Sequence, residues 1–181
     1  METNNAMKLE TERLRMRPVT IEDKSAIFEY RSDSETNKYQ GSIPNSLSDV
    51  EAFINKLAKH INEPSSWFQL VIIERASEEI IGDLGIHFFG SENKQTEIGC
   101  TLNKIYHHRG YATEAVRSVI DYLFHDLNKH RIIASIDPAN ESSIKLVERL
   151  GFRKEAHFVK SLFINGQWVD DIVYALLKDD W

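Results

Sequence analysis

Thr96-Glu97-Ile98-Gly99-Cys100-Thr101-Leu102 runs through Asn103–His107 into His108-Arg109-Gly110-Tyr111-Ala112-Thr113. In the first seven residues the side chains alternate. Thr96, Ile98, Cys100 and Leu102 share one face, and Glu97, Gly99 and Thr101 the other, as in a strand. From Ala112 the period changes. Ala112, Ala115, Val116, Val119, Ile120, Leu123 and Leu127 follow the spacing of a helix with one buried stripe, spanning about residues 112–124. A strand therefore enters an amphipathic helix through a turn carrying Gly110. Free N–H groups and the positive end of the macrodipole at such a helix start favour an anion such as a pyrophosphate. Gly110 accepts positive φ and has no side chain to hold a phosphate away.

Working outward toward the N-terminus, Ile80–Phe89 is an apolar strand interrupted by Gly82 and Gly85, where a bulge or close backbone approach is expected. Trp67–Ile73 is nearly continuous apolar sequence, the pattern of a strand covered on both faces. Leu47, Val50, Ile54, Leu57, Ala58 and Ile61 give a helical stripe behind the capping pattern Ser48-Asp49-Val50-Glu51. Residues 31–46, with Gly41 and Pro44, read as a loop. Thr20 caps a short helix with Ala26, Ile27 and Tyr30 inward, and Leu9–Pro18 reads as a half-exposed strand. Toward the C-terminus, Arg131–Ile136 is a strand. Asp137-Pro138-Ala139-Asn140 leads into a helix with Ile144, Val147 and Leu150 inward, stopped by Gly151. Phe152–Ile164 and Gln167–Leu177 flank Asn165-Gly166, a two-residue hairpin signal. The expected fold is a single α/β domain over 1–181, with a mixed sheet of about seven strands and about four helices. Residues 1–8 are expected to form a loose tail.

The 181 residues carry 28 acidic and 22 basic side chains, a net charge of −6. With no Lys/Arg run, nucleic acid is a poor expectation, and a cationic amine suits the sign. One cysteine, Cys100, excludes an internal disulfide and suits a reducing compartment. No apolar run approaches a membrane span, and the polar start lacks a signal-peptide core, so the expectation is a cytoplasmic protein without membrane contact. No His-x-x-x-His pair occurs, and no metal site is expected. Cys100 has no histidine tied to it in sequence and reads as an inert core thiol. Trp67, Phe68, Phe88 and Phe89 read as core.

His107-His108-Arg109-Gly110-Tyr111-Ala112 resembles the coenzyme A signature of the GNAT superfamily of N-acetyltransferases, Gln/Arg-x-x-Gly-x-Gly/Ala. It departs from it at His107. Thr11-Glu12-Arg13-Leu14-x-x-Arg17-Pro18 with Asp23 resembles the opening of the ribosomal-protein N-terminal acetyltransferase (RimJ/RimL-like) branch. Asn140-x-x-Ser143-x-x-x-Val147-x-x-Leu150-Gly151-Phe152 and Gly166-x-Trp168-x-Asp170 complete the likeness. The resemblance implies acetyl transfer from acetyl-CoA to a primary amine, with a protein N-terminus as acceptor. A polyamine or aminoglycoside acceptor, or a non-catalytic acyl-CoA-binding domain, is the alternative. Beyond the acceptor, a homodimer is the open partner.

The resemblance also implies roles for residues. Pyrophosphate lies on the backbone of Arg109, Gly110, Tyr111, Ala112 and Thr113 beside His107, and the pantetheine arm runs along Ile98, Cys100 and Leu102. Asn140 bonds the arm or simply caps its helix, and Arg109 is a phosphate contact or a solvated charge. Glu97 is the candidate base, against a plain exposed strand carboxylate. Where many members place a tyrosine acid this chain has Val147. Ser143 matches the serine of the RimJ/RimL-like branch as proton donor to the thiolate, against an ordinary helix-start residue.

Overall fold

The computed structural model describes residues 8–181, so the expected tail, Lys8 apart, lies outside the described residues. The deciding stretch folds as its two periods dictate. β5 (Gln95–Leu102) alternates between faces, and α3 (Tyr111–Asp121) buries Ala115, Val116, Val119 and Ile120 before continuing as a π turn over Tyr122–Asp126. Around them lie β1 (Leu9–Glu10), β2 (Leu14–Pro18), α1 (Lys24–Arg31), α2 (Leu47–Asn55), β3 (Ser66–Glu74) and β4 (Ile80–Phe89). After α3 follow β6 (Arg131–Ile136), α4 (Glu141–Arg149), β7 (Arg153–Ile164) and β8 (Gln167–Leu177). The eighth strand, beyond the seven expected, is β1, which Leu14–Pro18 meets as an antiparallel neighbour.

All eight strands form one sheet in the order β1-β2-β3-β4-β5-β6-β8-β7. Every pairing is antiparallel except that of β5 with β6. The larger core packs Ile98 and Leu102 of β5 against α3, with Val147 of α4 and Leu150 at its C-terminal cap in the same cluster. On the opposite face Val71 and Ile73 of β3 pack with Ile27 and Tyr30 of α1 and Val50 of α2. β3 is therefore covered on both sides, as its continuous apolar run requires. Among the described residues no helix is long and apolar enough to cross a membrane.

Two local readings needed correction. The cap of α2 is Ser46, whose Oγ accepts from Asp49 N–H at 3.2 Å, rather than Ser48. The same helix stops at Asn55 although the apolar stripe continues to Ile61, because the Ala58 N–H donates to the Trp67 carbonyl on β3. Elsewhere the punctuation held. Gly151 follows α4 at φ +87°, and Asn165-Gly166 turns the β7–β8 hairpin with φ of +50° and +81°. A Cβ on Gly82 would stand 2.2 Å from the Thr101 carbonyl oxygen, the close approach expected of β4.

The branch-like opening motif has a structural meaning. Glu114 on α3 accepts from Thr11 Oγ1 at 2.6 Å and Arg13 Nε at 2.7 Å, tying α3 to the β1–β2 turn. Arg17 makes two 2.7 Å bonds to Asp23, and Asp23 in turn accepts from the Thr20 N–H at 2.8 Å. Two charge-assisted clamps thus anchor the first strands to their helices.

Candidate active site

β5 and β6 pair in parallel over three residues only, Gln95 with Arg131, Thr96 with Ile132 and Glu97 with Ile133. Beyond Glu97 the strands diverge. Ile98–Leu102 keeps β4 on one side and Ala134–Ile136 keeps β8 on the other. The opening widens into a cleft of about 630 Å³. Glu97, Gly99 and Cys100 line its β5 wall, and Asn140, Ser143 and Val147 its α4 wall. The loop after α1 (Tyr39–Ser42 and Pro44) and the hairpin (Leu162, Ile164, Val169) close the remaining sides.

Glu97 stands at the fork itself. Its carboxylate is 26% exposed, and burial together with the nearby Asp171 charge raises its pKa above the usual glutamate range, with His87 opposing. Desolvation of this kind makes a carboxylate a better base near neutral pH. Gly99 lies two residues on, on the same face, and a Cβ there would meet nothing within 4 Å, so the space beside Glu97 is open. Asp49, Asp137, Asp170 and Asp171 also line the cleft. Its one arginine, Arg31, is held by the buried Asp83 at 2.5 Å. The wall is therefore acidic, as a cationic acceptor prefers.

Ser143 is half-buried on the first turn of α4. Its own N–H donates to Asn140 Oδ1 at 3.2 Å, while its hydroxyl has no hydrogen-bond partner among the described residues. Asn140 caps α4 with that oxygen, and its Nδ2 has no such partner either. Capping and reaching into the cleft are compatible. Cys100 lines the cleft rather than being wholly enclosed, and burial plus the Asp83 charge push its thiol up to about 12. It stays protonated and is no nucleophile.

The turn before α3 is a second, separate feature. Gly110 has φ +81°, and the first helical bond runs from the Glu114 N–H to the Gly110 carbonyl. The N–H groups of Arg109, Gly110, Tyr111, Ala112 and Thr113 have no hydrogen-bond partner among the described residues. Five successive free donors at the start of a helix make an anion cradle. Side chains around it serve other ends. Tyr111 is buried and its hydroxyl donates to Glu74; Leu102 is core. Both offer a cofactor only backbone. His107 is exposed and donates from Nε2 to the Leu102 carbonyl at 3.0 Å, bracing the turn. Arg109 is exposed over the Tyr106 ring.

A model of the acetyltransferase (GNAT) domain matches residues 13–153, which include both the cradle and the forked strands. The chain belongs to the GNAT acetyltransferase family. It is 33% identical over 178 residues to the uncharacterized N-acetyltransferase YnaD of Bacillus subtilis, covering 97% of this chain and 99% of that protein. A GNAT-family acetyltransferase from Bacillus anthracis superimposes with TM-score 0.86 at 31% identity, over 96% and 99% of the two chains. A ribosomal-protein-S5-alanine acetyltransferase from Vibrio fischeri follows with TM-score 0.80 at 28% identity, over 97% and 98%. This GNAT protein is thus an N-acetyltransferase with ribosomal-protein-acetylating (RimJ/RimL-like) relatives, and GNAT acetyltransferases use acetyl-CoA.

Sequence reading missed several participants. Arg13 donates to the Arg109 carbonyl at 2.9 Å and lies over the Tyr111 ring at 4.5 Å, holding the cradle from β2's side. Arg149 of α4 donates to Thr113 Oγ1 at 3.3 Å, placing a guanidinium beside the same turn. Trp67, read as core, is 42% exposed and lines the cleft. Asp171, buried and accepting from Ser135 Oγ at 2.7 Å, reinforces the acidic wall. Of these only Arg13 had a sequence signal, through the Thr11–Pro18 motif; the others are joined by tertiary contacts alone.

Proposed function

We propose that this enzyme acetylates the N-terminal amine of a protein, and that its own residues divide the work between cradle, fork and cleft. The five free amides of Arg109–Thr113 hold a pyrophosphate, with Gly110 leaving room for it. The diverging strands leave Ile98 and Cys100 with backbone edges to which a pantetheine arm can bond, and Asn140 Nδ2 adds a donor from α4. When bound, acetyl-CoA supplies an acetyl thioester beside Gly99. Glu97 removes a proton from the acceptor amine, which attacks as the free base. Ser143 gives its hydroxyl proton to the departing sulfur and regains one from water.

The observation that carries this reading is the opening of β5 from β6 immediately after Glu97, which puts base, open glycine and α4 hydroxyl around one space. A protein N-terminus fits the breadth of the cleft, its acidic wall, and the likeness to the Vibrio fischeri enzyme. The test is thiol release from acetyl-CoA with peptides beginning with Ala or Ser, with spermidine and with an aminoglycoside. Peptide acceptors should be preferred by at least about tenfold in kcat/KM, and Glu97→Gln should cut turnover by about a hundredfold or more near pH 7. Preference for spermidine or the aminoglycoside overturns the protein acceptor. Undiminished turnover in Glu97→Gln overturns the base.

A further inference from the structure

Behind Glu97 stands a residue that the acetyl-transfer scheme leaves unused. His87 on β4 is the direct cross-strand partner of Glu97 on β5. Its Nδ1 lies 3.7 Å from Glu97 Oε2. Its ring is sandwiched, stacked on Trp67 at 4.8 Å and 8° and on Phe89 at 5.4 Å and 26°. Yet His87 is absent from the cleft wall that Trp67 and Glu97 both line, and its side chain is 28% exposed. It touches the base from outside the cleft and touches solvent on its own account.

We infer that His87 is the positioning residue of Glu97 and relays the amine's proton from the cleft to solvent. The inference rests on Glu97 being the base. Glu97 takes up a proton inside a cleft filled by acceptor and acyl arm, which leaves no water on that side to remove it. Imidazole is suited to the exit because it takes a proton on one nitrogen and gives one up from the other. The balance closes. The acceptor's ammonium gives a first proton to Glu97 and becomes the free amine. Its nitrogen bonds to the acyl carbon as the carbon–sulfur bond breaks, and the second surplus proton on nitrogen then passes to Glu97. From Oε2 each passes to His87 Nδ1, and His87 Nε2–H releases a proton to water before the ring exchanges back to its first tautomer. Ser143 protonates the sulfur and regains a proton from water, so one proton is released in all. No oxidant or reductant is involved.

The surroundings favour this traffic. Two aromatic faces stabilise the transient imidazolium through cation–π attraction and hold the ring plane steady. Glu97 on β5 is the carboxylate in contact with His87, Trp67 on β3 and Phe89 on β4 do not titrate, and Asp171 on β8 bears on Glu97. At 3.7 Å the contact exceeds a direct hydrogen bond, so transfer takes a slight approach or one bridging water.

His87→Phe keeps a ring in the stack and deletes both nitrogens. We expect kcat/KM for the amine to fall about tenfold or more at pH 7, with the acetyl-CoA KM unchanged and the acid limb of the pH–rate profile moved to higher pH. Added imidazole should restore part of the rate in His87→Phe and leave the unaltered enzyme unaffected. A second readout needs neither substrate. The ring-nitrogen NMR signals of His87, read at one fixed pH, should change in Glu97→Gln, because Nδ1 loses its carboxylate neighbour. Unchanged signals overturn the pairing itself. A His87→Phe enzyme with the original pH profile overturns the relay even if the pairing stands. Full activity in Glu97→Gln with the ring signals changed overturns the base assignment, and the relay with it.

Discussion

Glu97 carries a cost that its surroundings explain. Its carboxyl titrates above the ordinary range in the folded chain, through burial first and the Asp171 charge second, and near 4.3 in an unfolded one. Across the window between those values the folded state binds more protons. Its contribution therefore favours the fold at low pH and is lost as pH rises through the raised folded value. Glu97→Gln should accordingly melt at a higher temperature than the unaltered protein at pH 7–8, and lose that advantage near pH 4. Thermal melts at both pH values decide it; an equal gain at both would trace to packing instead of charge. Ser143 is predicted to matter less. A coenzyme A thiolate is a fair leaving group, and a lone serine hydroxyl is a weak acid, so Ser143→Ala should slow turnover by about tenfold, the smallest effect expected of a general acid. Steady-state kinetics showing full activity would leave water as the donor, while a rise confined to the acetyl-CoA KM would make Ser143 a binding residue. The two side chains differ in how far sequence could take them. Ser143 stands in a legible motif and Glu97 on a legible strand face, but the raised pKa of Glu97 comes from neighbours distant in the chain.

At the scale of elements, the turn into α3 is where local sequence and function coincide most closely. Gly110 sits at φ +81°, a conformation that costs an L side chain about 1 to 2 kcal/mol. Gly110→Ala and Gly110→Asp bear similar strain, and both should fold, because the nearest atom to the added Cβ is the end of Arg13 at 3.4 Å. They should differ in binding. The Asp carboxylate would face the pyrophosphate across the amide cradle, and acetyl-CoA affinity by calorimetry should fall at least about tenfold below that of the Ala variant. Equal affinities in the two would remove the cradle from the pyrophosphate site. The α2 boundaries show the opposite case. Ser46-x-x-Asp49 and Ser48-x-x-Glu51 are both capping patterns, and what selects the first is the Asn45 N–H donating to Asp49 Oδ2 at 2.8 Å. Periodicity cannot end that helix at Asn55 either, since the chain leaves it to give Ala58's N–H to β3.

For the whole molecule, a buried polar network joins β3 and β4 to α1. Asp83, 1% exposed on β4, accepts from Arg31 Nε at 2.7 Å, Tyr30 Oη at 2.7 Å and Gln69 Nε2 at 2.6 Å. Its charge helps hold the Arg31 guanidinium protonated and the Tyr30 hydroxyl neutral. Asp83→Ala leaves the partly buried Arg31 guanidinium, Tyr30 and Gln69 without their shared carboxylate, so urea unfolding should show a loss of about 3 to 5 kcal/mol. Replacing both partners, Arg31→Met with Asp83→Leu, should lose much less. If the double variant is as unstable as the single, the network's contribution lies in its hydrogen bonds to Tyr30 and Gln69.

The sequence by itself determined the order of elements, the faces of β5, the stripe of α3, the hairpin and the stop after α4. Each depends on a period or on a residue whose backbone preference acts over a few positions, as with Gly110, Gly151 and Asn165-Gly166. Only the tertiary structure decided that β5 leaves β6 after Glu97, because strand pairing is a contact between segments more than thirty residues apart. It also decided that Trp67 opens onto the cleft and that His87 stands behind Glu97. Those placements follow from the register of β3 on β4 and of β4 on β5, which brings Trp67, His87 and Glu97 into one row across the sheet. Register is set by the sum of side-chain packing on both faces. No single stretch of the chain contains it.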